Sequence, residues 1–159
     1  MRIFRRTFRE YISLLTPLLG FIAAVWALRL VLAAAGAPLG VVKIASVTVA
    51  ENVAILLAAV LIHTRRFGGY ANLVAAVFLL VLWQELLISA AIAFSMATGT
   101  HNIYTAPEFN PPHFLAESQT QHLIAHLTFG VGFGTLFGAA IGCVLLFMIK
   151  RLVRLESAR

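Results

Sequence analysis

Charge is scarce in this chain. Only 11% of its 159 residues are charged, six acids against twelve bases, where about 25% is usual for a soluble domain. That shortage excludes an ordinary water-soluble globule. Cysteine is scarcer still: Cys143 stands alone, so an intrachain disulfide and dithiol redox chemistry are excluded. Its position deep in the last apolar run makes it a small packing residue. The sequence also lacks a Gly-rich phosphate loop, a Ser/His/Asp arrangement, a paired-Cys motif and an internal repeat of the transporter kind. The familiar routes to an enzymatic assignment are therefore missing.

Apolar residues are what the chain has, at 61%. Four runs reach the ~20 residues that a bilayer core requires: 12–35, 41–62, 71–98 and 122–149. They leave no room for a separate soluble domain. The expected fold is a single all-α, polytopic membrane domain of four transmembrane helices in an antiparallel bundle. Gly36, Pro38 and Gly40 make one short connection and Phe67-Gly68-Gly69-Tyr70 another.

The bases are distributed unevenly. Arg2, Arg5, Arg6 and Arg9 precede the first span, Arg65 and Arg66 separate the second and third, and Lys150, Arg151, Arg154 and Arg159 follow the fourth. Residues 99–121 hold no Lys or Arg. The positive-inside rule then places both termini in the cytoplasm of a cell membrane and residues 99–121 outside. The high pI of about 10.5 is accordingly a topology signal that can also draw the termini to anionic lipid. Without an aromatic-basic surface it gives no reason to invoke nucleic acid. Arg5-Arg6-Thr7-Phe8 ahead of an apolar run has the form of a twin-arginine export signal. The run is too long for a signal core, contains Arg29 and leads to further spans, so an uncleaved first helix is expected.

Polar residues inside the spans carry the functional signal. Glu51 and Glu85 fall near mid-membrane, where an ionised carboxylate costs at least ~2.5 kcal/mol unless it is protonated, paired or turned inward. Thr48, Glu51, Ala54 and Ala58 make one small or polar stripe, and Glu85, Ser89 and Ala93 another. The two glutamates are either a proton- or cation-binding pair, with Arg29 as a counter-ion candidate, or hydrogen-bonded contacts between helices. Arg29 can equally snorkel to the interface. Asn52 and Gln84 adjoin the glutamates but point about 100° away, which suits them to bridging helices.

The last span carries a row at four-residue spacing: His122, His126, Gly130, Gly134, Gly138 and Gly142. The glycines form overlapping G-x-x-x-G pairs suited to close helix packing, and the histidines stand at the upper end of that seam. Two imidazoles one turn apart can hold a transition metal if a third ligand joins them. His113, Glu117 and His101 of the 99–121 segment are the nearest by depth, because Glu51 and Glu85 are expected roughly 9 to 14 Å below His126. The alternative is a pair of interfacial histidines bonded to loop groups. Leu123 stands where an H-E-x-x-H motif needs its glutamate, and His63 lies at the opposite face from any bis-His haem site. Gly132 falls off the seam. Phe129, Phe133 and Phe137 make a separate row for lipid or a large partner surface.

Residues 99–121, with Pro107, Pro111, Pro112, Tyr104, Phe109 and Phe114, are expected to cover the outer mouth as a lid or partner contact. Three functions fit. The first is a nonenzymatic component, a subunit of a larger assembly or a homo-oligomeric transporter-like protein, whose carboxylates bind protons or cations. The second is a metal-dependent enzyme acting on a lipid or small amphiphile at the outer leaflet. The third is an assembly factor whose glycine seam docks a partner helix.

Overall fold

The computed structural model describes residues 2–106 and 118–156, the side chain of Arg2 excepted. Helix makes up 83% of the structure, and among the described residues the other regular element is a two-residue antiparallel ribbon pairing β1 (Arg2–Ile3) with β2 (Arg6–Thr7). No residue pattern marks that ribbon beforehand. The helices are α1 (Phe8–Ala34), α2 (Leu39–Ile44), α3 (Val47–Thr64), α4 (Tyr70–Thr98), α5 (Gln119–Ala125) and α6 (Val131–Glu156), with a π-helical turn (His126–Gly130) joining the last two. Four helical stretches, Phe8–Ala34, Leu39–Thr64, Tyr70–Thr98 and Gln119–Glu156, are long and apolar enough to cross a membrane. These mark the chain as a membrane protein.

Local chemistry sets the element boundaries. Thr7 starts α1 through a capping box with Glu10: its hydroxyl accepts from the Glu10 N–H while the Glu10 carboxylate accepts from the Thr7 N–H. The second expected span is not one helix. Ala45 turns to ψ 56, and Ser46 caps a new helix by accepting from the Val49 N–H. Gly99, at φ +69, ends α4 in the left-handed conformation that glycine adopts without steric cost.

Helix α1 packs on α3 and α4, and α6 packs on α3 and α4. Tyr11, Leu15 and Ile22 meet Ile55, Ala58, Ile62, Leu73, Val77, Leu80 and Leu146 in the main core. Large apolar side chains cover the outside too, among them Leu136 at 74% and Phe129 at 71% exposure. In water such a surface would be an aggregation liability; in a bilayer it is the lipid face.

Contacts gather the N-terminus, the α3–α4 turn and the last turns of α6 at one end. Arg6 donates to the Phe67 carbonyl at 2.9 Å, Asn72 donates to the Phe4 carbonyl at 3.2 Å, and the Lys150 ammonium lies 4.5 Å from the Tyr70 ring centre. This is the basic end. At the far end Ile103 and Tyr104 bury against Val42, Ile88 and Ile92, while Asn102 donates to the Ala91 carbonyl and Ser95 to the Thr100 carbonyl. The first part of the expected cover therefore folds onto the helix ends.

The glycine row faces inward, and what it admits is side chains. A Cβ at Gly134 would stand 2.8 Å from Val81 Cγ1, one at Gly138 2.6 Å from Ile55 Cδ1, and one at Gly142 3.3 Å from Ile55 Cγ2. A Cβ at Gly132 would meet nothing within 4 Å. Four-residue spacing drifts about 40° per step, hence about 200° from His122 to Gly142, which would carry the row around the helix. The π-helical turn contributes one extra residue and sets the later part back by about 100°. That turn keeps histidines and glycines on one side.

Gly138→Leu is expected to overpack this seam and cost about 1 to 3 kcal/mol, while Gly132→Leu should stay within about 0.5 kcal/mol of the parent. SDS unfolding titrations in mixed micelles check the pair; equal losses would place the seam elsewhere.

Candidate functional site

Where the π-helical turn meets α4, the structure brings together residues that the sequence assigns to separate depths. His126 Nδ1 lies 2.6 Å from Glu85 Oε2, and His126 Nε2 lies 3.1 Å from His122 Nε2. Gln84 donates from Nε2 to Glu85 Oε1 at 3.3 Å. Glu51 approaches from α3, close enough to meet the Gln84 side chain and the charge of Glu85. Glu51, Gln84 and Glu85 are all buried, and the imidazoles are half-buried. Gly130 makes the contact possible. A Cβ there would come within 2.8 Å of the Glu85 carboxyl carbon.

The expected depth gap of 9 to 14 Å between His126 and the glutamates is wrong for Glu85, and helix stagger is the reason. From Glu85 to the end of α4 at Thr98 is thirteen residues, or ~20 Å, whereas His126 is seven residues, or ~10 Å, below the start of α5 at Gln119. The outer end of α4 projects past α5. Run length was the available signal, since 71–98 exceeds what a bilayer needs. The direct Glu85–His126 contact and the part played by Gln84 had no clearer sequence mark.

Other residues fall differently. Asn52 donates to the Thr48 carbonyl of its own helix at 2.8 Å and makes no bridge to another helix among the described residues. Thr48 and Ala93 are exposed, so neither stripe runs as expected; the buried faces pass instead through Glu51, Ala54 and Ala58 on α3 and Glu85, Ser89, Ile92 and Ser95 on α4. Arg29 forms no ion pair with Glu51 or Glu85. Its guanidinium lies 5.4 Å from the Tyr104 ring centre, and its Nε is buried without a hydrogen-bond partner among the described residues. Burial pushes the Tyr104 phenol up to about 12 against the opposing pull of Arg29, so the arginine rests on a neutral ring. His101 lies over the end of α1 beside Leu30 and Ala33. His113 and Glu117 lie outside the described residues. Among the described residues no group of three His, Cys or Glu side chains is placed to hold a metal.

The three-member chain has a definite chemistry. With Glu85 ionised, His126 donates from Nδ1 to the carboxylate and accepts at Nε2 from the Nε2–H of His122. A proton arriving at His122 Nδ1 lets each hydrogen shift one place inward. Glu85 then becomes a carboxylic acid donating to His126 Nδ1, and His126 Nε2–H donates to His122 Nε2. Every contact is satisfied before and after, as a proton wire requires. The wire ends at the carboxylates: toward the basic end the same helices present Val81, Val77, Ile55 and Leu73.

Comparison with protein-family models, curated proteins and solved structures gives no match for this chain. The function must be read from the site itself.

A double-mutant cycle of Glu85→Leu and His126→Leu should show coupling of about 1 kcal/mol or more, because either single change deprives the partner of their shared hydrogen bond. Additive losses in unfolding titrations would mean the bond is not formed.

Proposed function

We propose that the chain is a nonenzymatic component of a cell membrane, a subunit of a larger assembly or a homo-oligomeric transporter-like protein, in which Glu85 and Glu51 take up a proton or small cation from one side. The observation that carries this reading is the unbroken sequence of contacts from His122 through His126 to Glu85. A buried carboxylate with a histidine relay and, among the described residues, an apolar stretch beyond it toward the basic end suits binding and release rather than straight conduction. Gln84 Oε1 and Ser89 Oγ, both buried without partners among the described residues and both within one turn of Glu85, supply further polar atoms for what the carboxylates take up. In this reading the four spans form an antiparallel bundle with the basic end and both termini in the cytoplasm, so protons enter from outside.

One observation favours a second reading. Two imidazole nitrogens on one tetrahedral zinc ion stand about 3.4 Å apart, and the 3.1 Å between the Nε2 atoms is close to that. Glu85 on His126 Nδ1 then occupies the place of the carboxylate that orients a metal-bound imidazole. With a third protein ligand, such an ion would fit the metal-dependent membrane enzyme of the second expectation. Stoichiometric transition metal in gently purified protein would favour this reading; clearly substoichiometric metal leaves the relay.

Infrared difference spectra between acid and neutral pH test the relay. A carboxylic acid C=O band absent from Glu85→Gln is expected. Its exchange in D2O should slow at least tenfold in His122→Phe, which interrupts the wire above an intact Glu85–His126 bond. No Glu85-dependent band, or an unchanged exchange rate, would overturn the proposal.

A further inference from the structure

Four oxygen-bearing side chains are buried where the histidine contacts end. Glu51 of α3 and Gln84, Glu85 and Ser89 of α4 are 5%, 3%, 6% and 6% exposed. His126 engages Oε2 of Glu85 at 2.6 Å. The other oxygen, Oε1, is met by the Gln84 amide at 3.3 Å, longer than a usual N–H···O bond. Glu51 also reaches that amide from α3, so the Gln84 side chain lies between the two carboxylates. Its own Oε1 is buried without a partner among the described residues, and so is Ser89 Oγ. Ser89 stands one turn from Glu85 on the same face, where helix geometry leans its side chain back toward the carboxylate.

Unpaired acceptors in so dry a place are costly, and beside two carboxylates they call for something positive. Turned as it is, the Gln84 amide gives its donor to the carboxylates and strands its oxygen. A half-turn about the terminal bond brings the oxygen to them instead. The set is then two carboxylates, an amide oxygen and a hydroxyl, hard donors that suit an alkali or alkaline-earth ion rather than a transition metal.

Charge and space narrow the choice. A monovalent ion takes the place of one proton without changing the net charge of a buried site, whereas a divalent ion adds a charge within hydrocarbon. A Cβ at Gly130 would come within 2.8 Å of the Glu85 carboxyl carbon and one at Gly134 within 3.9 Å of Glu51 Oε1, so the α6 backbone closes this side. A small ion stripped of its water fits there better than a large one.

We infer that Glu51, Gln84, Glu85 and Ser89 form a binding site for a sodium ion, held by their side-chain oxygens. The inference rests on the proposed uptake at Glu85 and Glu51 and names the cation taken up.

Binding of 22Na+ to the full chain in detergent, read by scintillation proximity, tests it. Saturable binding is expected, displaced by unlabelled sodium and not by a tenfold excess of potassium. Gln84→Leu should weaken it about tenfold and Ser89→Ala about threefold, each removing one oxygen ligand. Asn52→Ala, beside Glu51 but bonded to its own helix, should leave it unchanged. No saturable binding to the parent chain, equal displacement by potassium, full binding in both Gln84→Leu and Ser89→Ala, or an equal loss in Asn52→Ala would overturn the inference. Infrared spectra of the same sample separate the two levels: a Glu85-dependent carboxylic acid band without sodium binding overturns the sodium site alone, and absence of both overturns the uptake reading with it.

Discussion

A carboxylate buried among apolar helices has to be neutralised or bonded, and the arrangement around Glu85 follows from that constraint. Leaving it ionised and unpartnered in hydrocarbon would cost at least ~2.5 kcal/mol. His126 supplies the partner, with a contact of 2.6 Å to its carboxyl group. The bond in turn needs Gly130, because any larger residue would put a Cβ against the carboxyl group. It also needs His126 turned toward α4 while the glycines below keep facing α3 and α4, and the π-helical turn (His126–Gly130) reconciles the two. Packing seam and polar site are one device read at two levels.

The four apolar runs, the two short connections and the inward direction of Glu51 and Glu85 were legible in the sequence, because each rests on composition or on spacing along one element. Features that depend on how elements slide past one another were not. Run ends predicted depths for His126 and Glu85 that differ by roughly 14 Å, and the projecting end of α4 cancels the difference. Arg29 shows the same limit: its depth was readable, but its placement over Tyr104 depends on how residues 99–106 fold back. Spacing also hid the turn. Strict four-residue repetition looked like a single seam, yet on an uninterrupted α-helix it would have wound about 200° around the axis.

The two ends of the molecule do different physical work. Toward the far end several polar groups are held by directional bonds to named neighbours: Asn102 to Ala91, Ser95 to Thr100, His126 to Glu85. The basic end sets guanidinium and ammonium groups on carbonyls and aromatic faces, as Arg6 on Phe67 and Lys150 on Tyr70 illustrate. Between them the core is apolar and continuous. Under the proposed relay the carboxylates would exchange with one side, and transport would require the α3, α4 and α6 seam to open toward the other.

Glu85, His126 and His122 form one hydrogen-bonded chain on which the whole reading rests. Solid-state NMR on bilayer-reconstituted protein with 15N-labelled histidine and 13C-labelled glutamate measures it directly. A short dipolar contact between the Glu85 carboxyl carbon and His126 Nδ1, together with correlation between the Nε2 atoms of His122 and His126, is the expected result. A His126 Nδ1 with no glutamate carboxyl carbon within hydrogen-bonding range would contradict it.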